Sequence, residues 1–158
     1  MHRIFSRTST ALAAAMLLGG CAAQEKNLLS YQDSVEYAEL EEGGRVWRVT
    51  PQDGGFIAVI TAPESAAGIT FRLSDTEISA SAAGIKIPLG ERMRDALASL
   101  TGCLTLQSEE ITSARADPHA GYTLLTFADG TTAAISDAGA PLWFERAGVR
   151  YTVKEILI

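Results

Sequence analysis

The sequence predicts an all-β fold that leans towards α+β, with one antiparallel sheet of about ten strands and a single covering helix. Two observations support this prediction. Short segments in which apolar and polar residues alternate recur about every eight to twelve residues, the spacing typical of sandwiches and barrels. Only one segment of useful length has the apolar spacing of an amphipathic helix.

Eleven segments have the alternation that is typical of half-buried strands. They are residues 35–41, 45–50, 56–61, 69–73, 77–81, 85–89, 104–107 taken together with 111–115, 122–128, 131–136, 142–146 and 150–156. Glycine lies between neighbouring segments at 42–44, 52–55, 128–130 and 146–148. Because glycine adopts the positive φ of tight hairpins, these turns predict a meander, with Asp129-Gly130 as the strongest turn signal.

The predicted helix covers residues 91–100. Met93, Leu97 and Leu100 have the spacing i, i+4, i+7 and share one helix face, and Gly102 follows as the expected C-terminal glycine. Two interpretations stay open for this helix. It fills the concave side of the sheet as part of the core, or it forms a partial lid over an apolar pocket.

Residues 1–20 have the three parts of an export signal. Arg3 and Arg7 provide the positive start, and an apolar stretch of about nine residues follows at 10–18. That stretch is too short to span a bilayer, which needs about 20 apolar residues. The sequence therefore predicts a signal peptide that is removed from the mature protein.

The end of this leader, Leu18-Gly19-Gly20-Cys21, resembles the lipobox of bacterial lipoproteins. The resemblance implies cleavage before Cys21 and attachment of acyl chains to its thiol, which becomes the new N-terminus. The protein is then expected on the extracytoplasmic face of a cell membrane, with residues 21–27 as a short polar tether. The residue after the cysteine is Ala22 and not Asp. In a cell with two membranes, this resembles the pattern of lipoproteins that are sent to the outer membrane. The alternatives are an ordinary secretory leader with a chance cysteine and a hydrophobic N-terminus of a cytosolic protein.

The charge of the mature part is acidic. The whole chain has 13 Lys and Arg residues against 19 Asp and Glu residues; without Arg3 and Arg7, 11 basic residues remain against the same 19 acids, a net charge of −8. An acidic domain repels phosphate backbones, so nucleic acid is not expected as a partner. Residues 28–158 are long enough for a single domain.

The segments 61–73 and 77–89, which contain Pro63, Gly68, Gly84 and Pro88 between alternating runs, resemble lipoproteins of the outer-membrane lipoprotein carrier and receptor superfamily, which includes LppX-type lipoproteins. The resemblance implies a curved half-barrel closed on one side by helices. Members of that superfamily hold acyl chains in a hydrophobic cavity, which implies a lipid or acyl chain as a ligand. No catalytic set defines the superfamily.

Large apolar side chains outside the leader are the candidates for a pocket or for the core. They are Trp47, Phe71, Met93, Leu97, Leu100, Phe127 and Trp143. Aromatic residues at such positions, and also Phe144 and Tyr151, either fill a β core or line a binding cavity.

Residues that carry catalysis or bind metals are scarce. The mature part has one histidine, His119, and one cysteine besides Cys21, which is Cys103. No His/Cys cluster is available for zinc, and no Gly-x-Ser-x-Gly or Ser-x-x-Lys motif is present. Cys103 is expected to be a buried free thiol before an apolar strand. We therefore predict a non-enzymatic protein without a cofactor.

Two functions remain from the sequence. The domain binds a lipid or another apolar ligand in the concave face of its sheet, or it is a structural or protein-interaction lipoprotein of the cell envelope with a filled core. The size of the cavity distinguishes them, because small-molecule sites have volumes of about 300 Å³ or more.

Overall fold

A computed structural model of the protein describes residues 28–158, which form an open antiparallel sheet and one α-helix. The strands are β1 (Tyr37–Glu42), β2 (Arg45–Gln52), β3 (Gly55–Ala62), β4 (Thr70–Ser74), β5 (Ile78–Ala82), β6 (Ile85–Pro88), β7 (Ile111–Asp117), β8 (Tyr122–Phe127), β9 (Thr132–Ser136), β10 (Pro141–Arg146) and β11 (Val149–Leu157). Helix α1 (Glu91–Leu100) lies between β6 and β7. The predicted fold class is confirmed. The predicted signal peptide, the tether and Cys21 lie outside the described residues.

The sheet consists of two meanders that meet in its middle. Its strand order is β6-β5-β4-β3-β2-β1-β11-β10-β9-β8-β7. The first and last strands of the domain therefore pair with each other, while β6 and β7, which are neighbours in sequence, form opposite edges. The chain between these two edges crosses the sheet, and α1 is the main element of that crossing.

Tight turns connect most neighbouring strands, as the glycines predict. The turn between β1 and β2 contains Gly43 and Gly44, with φ of 55° and 80°. In the turn between β8 and β9, the Asp129 carboxylate accepts a hydrogen bond from the Thr131 N–H at 2.8 Å, and Gly130 has a φ of 83°. A positive φ is readily adopted by glycine because it lacks a Cβ.

Helix α1 has the bounds that its sequence predicts, and its apolar face meets the sheet. Leu97 and Leu100 are each 3% exposed. The Arg94 side chain donates a hydrogen bond from Nη1 to the backbone oxygen of Ser74 at 2.7 Å, which ties the helix to the end of β4. The helix contacts β4, and the 3₁₀ turn that follows it, Gly102–Leu104, contacts β10.

The strand predicted at 104–107 is wrong. Leu104 ends the 3₁₀ turn, in which its N–H donates to the Thr101 oxygen at 2.9 Å, and β7 begins only at Ile111. Leu106 is buried in the core, so its apolar character reflects the crossing of the concave side and not a strand. The period-2 signal was too short to separate these two possibilities.

Gly102 does not have the role of a left-handed helix cap. The helix ends at Thr101, which has right-handed backbone angles, and the chain passes directly into the 3₁₀ turn. A Cβ at Gly102 would lie 3.4 Å from the Arg146 side chain and 3.5 Å from the Phe144 ring. This glycine therefore permits close approach of the crossing segment to β10.

The core lies between the concave side of the sheet and the crossing segment. Its fully buried side chains include Leu40, Val49, Leu125, Ile135, Phe144 and Cys103. The 3₁₀ turn at Ser30–Ser34 closes it from the N-terminal side, where the Tyr31 hydroxyl donates a hydrogen bond to the Cys103 backbone oxygen at 2.6 Å. Within residues 28–158, no helix is both long and apolar enough to span a membrane.

Candidate functional site

A cavity of about 260 Å³ lies between α1 and the middle of the sheet, at the end of the strands where the β1–β2 and β10–β11 turns lie. Nine residues line it: Glu42, Arg45, Trp47, Met93, Ala96, Leu97, Leu100, Val149 and Tyr151. Most of these side chains are apolar or aromatic, which is the usual lining of a small-molecule site.

The cavity has an apolar floor and a charged rim. Trp47 lies in the floor, where its ring meets that of Phe71 with centroids 5.6 Å apart. Met93 is 40% exposed at the mouth. On the rim, Arg45 and Glu42 form an exposed ion pair at 3.5 Å, which contributes little to stability because water screens it.

The concave side beneath the 3₁₀ turn at Gly102–Leu104 is closely packed. Phe144 stacks on Tyr151 with ring centroids 4.7 Å apart. Cys103, at 1% exposure, and Leu106 are buried residues of the crossing segment and pack in the core against the sheet. The protein therefore uses its own side chains where a half-barrel with a large cavity would have room for a ligand.

The structure brings together four of the seven residues predicted for the pocket or core. Trp47, Met93, Leu97 and Leu100 all line the cavity. Phe71 packs against Trp47 behind this lining. These positions show that α1 forms both part of the core and one wall of the cavity, so both interpretations of the helix describe part of it.

Phe127 and Trp143 lie elsewhere. Phe127 is buried in the core and does not line the cavity. Trp143 precedes the buried Phe144 in β10, so its side chain points to the opposite, convex face of the sheet. There the Arg150 guanidinium lies over the Trp143 ring at 4.1 Å from its centroid.

Val149 and Ala96 line the cavity but were not among the predicted site residues, whereas Tyr151, one of the aromatic candidates, lines it as well. Tyr151 lies directly opposite Phe144 in the pairing of β10 with β11. The alternation of the last predicted strand indicates its apolar face, but the sequence alone does not say that β11 pairs with β1 in the middle of the sheet. That pairing places Tyr151 beside Trp47.

Burial controls the ionisation of the polar groups in the core. It raises the pKa of the Cys103 thiol far above its ordinary value and also that of the Tyr31 hydroxyl. The pKa of Tyr151 is raised for the same reason. A thiol that stays protonated is a poor nucleophile.

The 260 Å³ cavity and the residue to which the predicted anchor is joined lie at opposite ends of the central strands. Leu28, the first described residue, lies beside Ile158 and the loop at residues 137–139, around a second cavity of about 550 Å³. These residues mark the end where β11 finishes and β1 begins. The 260 Å³ cavity lies at the opposite end of the same strands, where β1 turns into β2.

Metal-binding side chains do not converge in the described part of the chain. Residues 28–158 contain no group of three or more His, Cys, Asp or Glu residues placed to hold a metal ion. His119 lies in the turn between β7 and β8, where its backbone N–H donates to the Asp117 carboxylate at 3.1 Å. His119 is therefore a turn residue, as this hydrogen bond shows.

Comparison with known proteins gives no relative from which a function can be transferred. No family model, no curated protein and no solved structure matches the chain. The likeness to half-barrel lipoproteins stays a prediction from the sequence.

Proposed function

We propose that the protein is an exported lipoprotein, anchored through acyl chains on Cys21, whose β domain is a non-enzymatic interaction module of the cell envelope. The close packing of the concave side beneath the crossing segment is the observation that supports an interaction role over a carrier role. The protein's own Leu97, Leu100 and Cys103 occupy that space, each no more than 3% exposed.

The proposed anchor rests on the leader and the segment Leu18-Gly19-Gly20-Cys21. Each buried methylene of an acyl chain contributes about 0.8 kcal/mol to membrane binding, so two or three chains anchor a protein stably. Six residues separate Cys21 from Leu28. The domain is then held within about 25 Å of the membrane surface, since an extended chain covers at most about 3.6 Å per residue.

The position of the 260 Å³ cavity also favours an interaction role. With the anchor at the Leu28 end, the 260 Å³ cavity faces away from the bilayer. A lipid leaving the membrane has no direct route into it from that side. A partner on the far side meets its rim, which contains Glu42 and Arg45.

The anchor is tested by metabolic labelling with a fatty acid and by membrane fractionation. We expect label on the native protein and its loss in Cys21→Ser, together with release of the protein from membranes. Cys103→Ala is the matched control, because it removes the other mature cysteine and is expected to keep the label. An unlabelled native protein contradicts the proposal.

A second candidate function is the binding of a small apolar ligand in the 260 Å³ cavity. Its apolar lining favours this function, while its volume lies just below the range of about 300–1,000 Å³ that is typical of small-molecule sites. The second cavity, of about 550 Å³ at the Leu28 end, lies within that range, but about half of its lining is polar. Extraction of the purified mature protein, followed by mass spectrometry, distinguishes the two candidates. We expect no lipid in molar amounts; one lipid per chain, lost in a cavity-filling Ala96→Trp variant, would favour the second candidate.

A further inference from the structure

The two edges of the open sheet differ in the hydrogen-bonding groups that they present. The edge strands β6 and β7 each have one neighbour among the described residues. An unpaired edge exposes N–H and C=O groups to which another strand can add, and most proteins therefore protect it. The two strands differ in this protection.

β6 is protected. The Leu89 N–H donates to the Ile78 oxygen at 3.1 Å. This bond shows which residues of β6 have backbone groups that bond to β5 and which have backbone groups that point to the open edge, because the two kinds alternate along the strand. By this alternation, the backbone groups of Lys86 and Pro88 point outwards. Proline has no N–H, and β6 has only four residues. The Lys86 N–H is then the one outward donor of the strand, beside a charged side chain.

β7 lacks this protection. The Phe127 N–H donates to the Thr131 oxygen at 2.9 Å, on the β9 side of β8. Because the bonding direction alternates along a strand, the backbone groups of Leu125, two residues earlier, also point towards β9. Ala114 lies opposite Leu125 in the β7–β8 pairing. The backbone groups of Ala114 and Ala116 therefore point away from β8, towards the open edge, and supply two donors and two acceptors.

The side chains of β7 leave this edge accessible. All five residues at 112–116 are exposed, and the seven-residue strand contains neither proline nor lysine. Ala114 and Ala116 are small and lie on the concave side. Arg115 lies on the convex side, opposite Leu124, and its guanidinium has no ion pair or side-chain hydrogen bond within residues 28–158.

We propose that the β7 edge docks an extended segment of another envelope protein, which adds to the sheet as an antiparallel strand and places a carboxylate against Arg115. Backbone hydrogen bonds to Ala114 and Ala116 hold such a strand, and side-chain contacts select it, as in other cases of strand addition. The segment has apolar residues on both sides of its acidic residue, because these then lie over the two alanines. This proposal deepens the proposed function by naming the partner's chemistry.

The geometry disfavours a second copy of the chain as the occupant. Two β7 strands that pair in antiparallel fashion run in opposite directions. Their domains then point their Leu28 ends in opposite directions along the strands. Two copies anchored in one membrane have both Leu28 ends at that membrane, which conflicts with this pairing. A segment of a different protein has no such constraint.

The test uses the lipidated mature protein in detergent micelles and two synthetic probes. Both are seven-residue peptides in which valine alternates with threonine, except that the central residue is glutamate in one and lysine in the other. Binding is followed by nuclear magnetic resonance of the backbone amides. We expect the glutamate peptide to shift the Ala114 and Ala116 amides, and the lysine peptide to bind at least tenfold more weakly.

Two variants separate backbone from side-chain recognition. Ala116→Pro copies the device of Pro88, because it removes an outward N–H without breaking the β7–β8 ladder, and it is expected to abolish binding. Arg115→Glu is expected to reverse the preference, so that the lysine peptide binds more tightly. Lys86→Glu on the opposite edge is the control and leaves both affinities unchanged.

Absence of shifts in β7 with either peptide overturns the proposal, and so does binding that Arg115→Glu leaves unaltered. The Arg115→Glu result stands even where Ala116→Pro fails to fold. Fatty-acid labelling of Cys21 is independent of these measurements. A labelled protein that does not bind the peptides therefore refutes the β7 edge as a docking strand and leaves the anchored protein as proposed.

Discussion

The concave side of this sheet is packed closely in one part and left open in another. Beneath the 3₁₀ turn at Gly102–Leu104, the crossing segment lies directly on β10 and no space remains. Beneath Met93, the same segment leaves a cavity of about 260 Å³ against Trp47. The difference arises from the crossing segment, because a glycine permits close approach in the first part while a helix keeps its distance in the second.

The largest effect is expected in the closely packed part. Phe144→Ala removes a ring that is 1% exposed and stacked on Tyr151. Truncation of a buried phenylalanine costs about 3–5 kcal/mol, through lost burial and the remaining cavity. We expect the free energy of unfolding, measured with urea on the leaderless Cys21→Ser protein, to fall by this amount.

Trp143→Ala is the matched control for this measurement. Its side chain neighbours Phe144 in sequence but lies on the convex face beneath Arg150. Its cation–π contact is worth about 0.5–1 kcal/mol at an exposed site, so we expect the smaller loss of stability here. Equal losses of unfolding free energy in the two variants would contradict the placement of Phe144 in the core and of Trp143 on the convex face.

The boundary between the two parts lies along helix α1. Leu100→Ala is expected to cost about 2–5 kcal/mol because its side chain is 3% exposed. Met93 lies at the cavity mouth and is exposed, so Met93→Ala is expected to cost less than about 1 kcal/mol, because surface substitutions have small effects. Thermal unfolding of both variants checks this order, and a reversed order would contradict the described placement of the helix.

The close approach at Gly102 is expected to be of intermediate importance. In Gly102→Ala the new Cβ lies 3.4 Å from the Arg146 side chain. Overpacking of a closely packed site costs about 1–3 kcal/mol, and we expect the lower end because the Arg146 side chain can move. Gly90→Ala at the start of the helix meets nothing within 4 Å and serves as the control.

The sequence predicted the strands and the helix well, because each is encoded locally. The alternation of residues such as Ile69, Phe71 and Leu73 and the glycine of each hairpin are visible within ten residues. The strand order was not predictable, since the pairing of β1 with β11 joins residues more than 100 positions apart. The cavity depends on that pairing, because it places Tyr151 near Trp47.

Trp143 illustrates a second limit. The sequence shows two adjacent aromatic residues, Trp143 and Phe144, and both are plausible members of an apolar face. Only their place in a strand shows that they must point to opposite sides, and only the pairing with Tyr151 says which side is concave. Where a strand has apolar residues on both faces, tertiary contacts therefore decide which face of the sheet an aromatic side chain occupies.

The smallest expected effect is a dependence of stability on alkaline pH that arises in the closely packed part. Burial raises the pKa of Cys103 from its ordinary value of 9.0, so the folded state keeps the proton that the unfolded state loses above pH 9. Stability is therefore complete below pH 9 and falls as the pH rises towards the folded pKa. Between pH 9 and 10 the loss amounts to about 1 kcal/mol for one such thiol.

Cys103→Ala removes this dependence. Urea unfolding of the leaderless Cys21→Ser protein at pH 8, 9 and 10, with and without Cys103→Ala, isolates the contribution of the thiol, because Tyr31 in the same core has an ordinary pKa of 10.0 and responds mainly above that pH. We expect the slope between pH 9 and 10 to flatten in the variant. An equal slope in both proteins would mean that water reaches the thiol, and the part of the concave side beneath the 3₁₀ turn would then be as open as the part beneath Met93.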